Sequence, residues 1–169
     1  QWMYETAGRP MDAVNAAIQA IDRQPDTPFD GLYLLARRYA GEEEYEAAGA
    51  ALEKMVSLSA RELTNRLRRE SEEDFPWVTL YMANSVDPFM RRNDQAMARS
   101  ILAAIIASDP VVPRIWNDYA AICQQTARYE DAIAAYDRLL ALDASDPRTF
   151  NDYAAILHYD LNRDLDKAK

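Results

Sequence analysis

The sequence predicts an all-α protein of stacked helical hairpins, and three observations lead to that class. Residues 117–122 read Asn-Asp-Tyr-Ala-Ala-Ile, and residues 151–156 read the same six, about 34 residues further on. A unit of that length is one supersecondary element that buries its apolar face only against its neighbours. Between the two echoes, Ala132, Ile133, Tyr136, Leu139 and Leu140 recur at helical steps, with Glu130, Asp131, Asp137 and Arg138 turned to water. Four glycines in 169 residues leave little room for an all-β design, whereas 49% hydrophobic residues suffice for a core.

The elements follow from one alanine predicted at the crossing of the two helices in each hairpin. Ala13, Ala48, Ala96, Ala132 and Ala168 fill that place at spacings of 35, 48, 36 and 36. The order is then a partial repeat at 1–27, a repeat at 28–58, an inserted or elongated helix at 59–74, repeats at 75–110 and 111–145, and a partial repeat at 146–169. All belong to a single repeat domain. Ala36 and Ala120, which precede Ala48 and Ala132 by the same interval, let two backbones approach closely. Asp87-Pro88, Asp109-Pro110 and Asp146-Pro147 mark helix ends, because the residue before proline is pushed from helical geometry.

The long interval carries a segment with its own signature. Ser59-Ala-Arg-Glu62 has the spacing of a capping box, and Leu63 and Leu67 continue it as an apolar seam. Arg61, Arg66, Arg68 and Arg69 make it the most basic stretch of the chain, near Arg91 and Arg92 of the following unit. Two readings stand: an elongated helix whose charges are solvated or paired, as Glu62 with Arg66, or a second docking face for an acidic partner or another copy.

With the units laid out, the chain resembles the tetratricopeptide repeat family. Trp116, Tyr119, Ala120, Cys123, Ala127, Ala132, Tyr136 and Leu139 fall in the order of its motif, with Pro147 a few residues late. Leu32, Leu35, Ala36, Tyr39, Ala48, Leu52 and Met55 repeat it earlier, and Tyr4, Gly8, Ala13, Ala17, Ala20 and Pro25 supply a partial first unit. Trp77, Leu80 and Ala96, then Phe150, Tyr153 and Ala154, supply the rest. The resemblance implies a right-handed superhelical solenoid whose groove is lined by the first helix of each hairpin. Its ligand-contacting places fall on Tyr33, Arg37 and Ala40, on Val78, Met82 and Ser85, on Asn117, Ala121 and Gln124, and on Asn151, Ala155 and His158. Arg114 and Arg148 precede the last two sets. The branch that clamps chaperone tails places Lys and then Asn four residues later; Asn117 and Ala121, or Tyr33 and Arg37, depart from that pattern.

No residue pattern supplies catalysis. The single Cys123 admits neither an internal disulfide nor a thiolate zinc site, and reads as a packed thiol. The lone His158 lacks companions at metal-ligand spacing, and no glycine-rich phosphate loop or Gly-x-Ser-x-Gly turn occurs. Gly41 to Glu44 lack the alternating ligands of a calcium loop and read as the acidic start of a helix. The expectation is therefore a non-enzyme with no cofactor and no metal. A net charge of −9 opposes nucleic-acid binding, and no run reaches the ~20 apolar residues of a membrane span. The first residue is not Met and the ends fall within predicted hairpins, which reads as part of a longer array. The compartment stays open, cytoplasm ahead of periplasm. The expected function is a protein-interaction scaffold that holds a protein or peptide segment in its concave groove. The alternatives are a regulatory or substrate-presenting segment of a larger enzyme, or self-assembly through exposed repeat ends.

Overall fold

A computed structural model describes residues 9–23, 29–72, 76–142 and 147–160. Every element among them is helical, as expected, and the chain divides into two compact units, Gln1–Pro110 and Val111–Lys169. Unit 1 holds α1 (Pro10–Arg23), α2 (Phe29–Gly41), α3 (Tyr45–Glu72), α4 (Pro76–Asn84), α5 (Asp87–Arg91) and α6 (Gln95–Ile106). Unit 2 holds α7 (Pro113–Gln125), α8 (Tyr129–Leu142) and α9 (Pro147–Ala155), the last continued by a π-helical turn at Ile156–Asp160.

Three hairpins share one turn, atom for atom. After α2, α5 and α7, Glu43, Asn93 and Ala127 adopt left-handed backbone with φ of 62°, 60° and 56°. The amide after each donates back across the turn: Glu44 to the Tyr39 carbonyl at 2.8 Å, Asp94 to Phe89 at 2.8 Å, Arg128 to Cys123 at 2.7 Å. Glu43, Asn93 and Ala127 themselves donate to Ala40, Met90 and Gln124. These paired bonds satisfy the last carbonyls of the first helix and redirect the chain into the second.

That shared turn corrects one anchor. The second helices α3, α6 and α8 carry Ala48, Ala98 and Ala132 as their fourth residues, and all three are fully buried. Their amides donate to Glu44, Asp94 and Arg128 in the same fashion. Ala98, and not the exposed Ala96, is therefore the third anchor, which makes the interval to Ala132 equal to that of the sequence echo. With alanines at both places, spacing alone did not separate them. Ala13 is likewise the fourth residue of its helix and buried, while Ala168, Tyr4, Gly8 and Pro25 lie outside the described residues.

The long interval is an added helix. At Ser59 the backbone leaves helical geometry, with φ −165° and ψ 95°, so α3 has a first arm at 45–58 and a second arm at 60–72. The Glu62 amide donates to Ser59 Oγ at 3.2 Å, half of the predicted capping box. The Glu62 carboxylate turns instead to Arg66. Leu63 and Leu67 are fully buried, and Thr64 Oγ1 donates to the Ala104 carbonyl of α6 at 2.7 Å.

The first arm keeps the hairpin stacking of unit 1 despite the insertion. A Cβ on Gly49 would stand 2.7 Å from the Ser85 carbonyl oxygen and 3.0 Å from the Phe89 ring, so only glycine permits this approach. Glu46 on the same arm pairs with Arg91 and Arg92 at 3.3 and 2.9 Å. Asp87-Pro88 breaks the first helix of that hairpin into α4 and α5 rather than ending it.

Candidate protein-interaction surface

The residues that the resemblance assigned to a ligand are distributed unevenly between the two units. In unit 2 they form an open pattern. The apolar side of α7 buries Ile115, Trp116, Tyr119, Ala120, Ile122 and Cys123. Arg114 and Asn117 stand exposed on the opposite side, with Ala121 and Gln124 partly exposed. On α9 and its extension, Arg148, Asn151 and His158 are exposed and Ala155 partly so. Each member lies one echo interval beyond its α7 counterpart, giving Arg, Asn, Ala and a polar side chain twice in the same order.

Steps of three and four keep such residues on one face of an α-helix. The π-helical turn at Ile156–Asp160 departs from that register, so His158 is displaced around the axis relative to Gln124. Sequence spacing could not anticipate it. Arg114 reaches the Asp118 carboxylate at 3.6 Å, an exposed pair that leaves the guanidinium at the surface. Tyr153 Oη donates to Asp137 at 2.8 Å, tying α9 to α8, where the Tyr136 and Tyr153 rings lie 6.2 Å apart. Burial, followed by the charge of Asp152, pushes the Tyr136 phenol up to about 12.

Unit 1 differs. Tyr33 is only 3% exposed, and Met82, Val78, Ser85 and Ala40 are buried, so these places are not open to a ligand in this conformation. The second arm of α3 meets α2 at the first of them. Arg66 pairs with Asp30 and with Glu62, and its guanidinium lies over the Tyr33 ring at 5.5 Å and the Phe29 ring at 5.8 Å. Arg37, 33% exposed at its side chain, donates to Glu70 Oε1 at 3.0 Å and lies over the Trp77 ring at 5.8 Å. Burial and then the Glu70 carboxylate push the Tyr33 phenol well above its ordinary range. Tyr33 and Glu70 face each other there, and a hydrogen bond from the phenol to the Glu70 carboxylate adds to that upward push.

Of the basic residues on that arm, three are engaged. Besides Arg66, Arg68 donates to the Ala107 carbonyl at 2.9 Å, and Arg69 donates to the Asn65 carbonyl and approaches Glu62 at 3.6 Å. Arg61 is exposed. Arg91 and Arg92, grouped with this stretch by sequence, pair instead with Glu46 on the first arm. Two aromatic positions also part company with the motif. Trp116 is buried, whereas Trp77 and Phe150 are 41% and 48% exposed.

No group of His, Cys, Asp and Glu able to hold a metal occurs among the described residues. None of the described helices is long and apolar enough to cross a membrane.

Comparison with known proteins agrees with the hairpin geometry. A family model described as a tetratricopeptide repeat matches residues 88–147, spanning α5 to the start of α9. A crystal structure titled MamA protein is similar at 15% identity with a TM-score of 0.50, covering 92% of this chain and 75% of that one. A second MamA crystal structure is similar at 15% identity and a TM-score of 0.49, covering 92% and 80%. MamA 41-end from Desulfovibrio magneticus RS-1 gives 14% identity and 0.46, covering 95% and 80%. No curated protein matches. The similarity at this level concerns the fold, and the segment 88–147 is similar to a tetratricopeptide repeat.

Proposed function

We propose that the chain binds an extended segment of a partner protein along the polar rows of α7 and α9. Tetratricopeptide repeats are protein-interaction elements, and a general scaffold role is what the family match supports. The finer reading is supported by one observation: the Arg114, Asn117, Ala121, Gln124 set, exposed or partly exposed, recurs one repeat later as Arg148, Asn151, Ala155, His158. Asn and Gln amides both donate and accept, which suits the alternating amide and carbonyl groups of an extended backbone. The small alanine in each row leaves space beside the asparagine. The arginines favour carboxylates on the bound segment.

An array of immobilised extended peptides, varied in acidic content, tests this reading. Binding should concentrate on segments carrying Asp or Glu and should fall at least about tenfold when Asn117, Arg148 and Asn151 are all changed to Ala. Equal retention of the same peptides by the triple variant would refute it.

A further inference from the structure

We infer that the second arm of α3 is a strap over the last turn of α6, so that the two order and open as one unit and the arm controls the segment by which the chain leaves unit 1. The C-terminal carbonyls of a helix lack partners within it and must find them elsewhere. At the end of α6 the Ser108 and Asp109 amides turn to the Ile105 and Ile106 carbonyls at 3.0 and 2.8 Å, one residue later than α-helical pairing would take them. That tightening leaves the Ala104 carbonyl to Thr64 Oγ1, which donates to it at 2.7 Å. The Ala107 carbonyl accepts from Arg68 at 2.9 Å. Since α6 carries no basic residue in its own last turn, Arg68 brings the cation that its negative end favours.

Thr64 and Arg68 stand four residues apart, on one side of the arm. Elsewhere the arm is held to α2, by Arg66 to Asp30 and by Glu70 to Arg37. Its backbone breaks from the first arm at Ser59, and a helix as short as 60–72 is marginal alone, so its order rests on tertiary contacts of this kind. Dependence runs both ways: the arm supplies donors to the end of α6, and α6 supplies acceptors to the arm. The two ties differ in weight. Thr64 meets the Ala104 carbonyl in the interior, where an unpaired carbonyl is costly, whereas Arg68 bonds at the surface, where water can replace it. Ser108–Pro110, next beyond that turn, lead directly to unit 2. This inference stands apart from the polar rows of α7 and α9.

Hydrogen exchange on the whole chain tests it. Thr64→Val removes the hydroxyl at nearly constant volume; amides 107–109 should then exchange at least about tenfold faster, with amides 98–102 unchanged. Arg68→Ala, a change at an exposed position, should speed the same amides about threefold, and Thr64→Ser should restore them. In the reverse direction, Ser108→Ala removes the hydroxyl that donates to the Ile105 carbonyl at 2.7 Å, and arm amides 64–70 should exchange about threefold faster while those of the first arm hold. If Thr64→Val does not fold, Arg68→Ala and Ser108→Ala carry the comparison. A response confined to the substituted helix would overturn the strap. So would an equal rise along all of α6, which marks general destabilisation.

Discussion

At Ala127 an alanine occupies left-handed backbone, φ 56°, at the turn between α7 and α8. A Cβ in that region crowds the neighbouring carbonyl, and glycine avoids the conflict. Ala127→Gly should therefore stabilise the protein by about 1 kcal/mol, read as a higher urea midpoint with unchanged slope. Gly49 presents the opposite case. Any side chain there drives into the Ser85 backbone oxygen, so Gly49→Ala should cost about 1–3 kcal/mol, while Gly31→Ala, with nothing within 4 Å of its Cβ, should not destabilise. Comparable losses for the two would refute the close-approach argument. The motif residues were legible because packing at a hairpin crossing admits few side chains. The third anchor was misplaced by two positions because Ala96 and Ala98 both fit a small-residue requirement, and only the turn at Asn93 distinguishes them.

At the scale of elements, the α8–α9 contact carries a pH signature. Tyr136 titrates at about 12 in the folded chain against an ordinary value near 10. Its folded value is the higher one, so its contribution is complete below about pH 10 and is lost as pH rises toward 12. Urea unfolding at pH 9 and pH 11 should show a falling stability that Tyr136→Phe reduces; an identical fall in both proteins would contradict the assignment. The cap at Ser59 is testable in the same way. Ser59→Ala should destabilise by about 1 kcal/mol, with loss of protection in 60–72. Sequence reading located this cap, the inserted helix and its leucine seam. It did not foresee that the arm would cover the α2 face, because the pairs Arg66 with Asp30 and Arg37 with Glu70 join residues far apart in the chain. Nor did it foresee the π-helical turn, since a single turn of widened helix has no periodicity of its own.

For the whole molecule, helical class and repeat identity were readable from the duplicated hexapeptide, because in a hairpin array every unit meets the same local requirement. Ligand positions were less so. A repeat motif specifies packing, while its surface depends on what else the chain lays over each unit, and the insertion buries one set while leaving Asn117 and Asn151 exposed. Charge acts at this scale too. With a net −9, the chain should show no shift of duplex DNA mobility at about 50 mM salt, where phosphate attraction is strongest. A salt-sensitive shift would overturn the assignment to protein partners. Sedimentation velocity over a hundredfold concentration range should report a monomer; a rising coefficient would favour assembly through repeat ends.

The bare α-carbon at position 49 has a further meaning. By sparing the contact between two neighbouring hairpins, it makes the intervening segment an excursion that the array tolerates, entered at one serine and left a few helical turns later. Such a detour brings its own buried leucines and ion pairs while the hairpins on either side hold their register, which is how a repetitive scaffold acquires one unit unlike the rest.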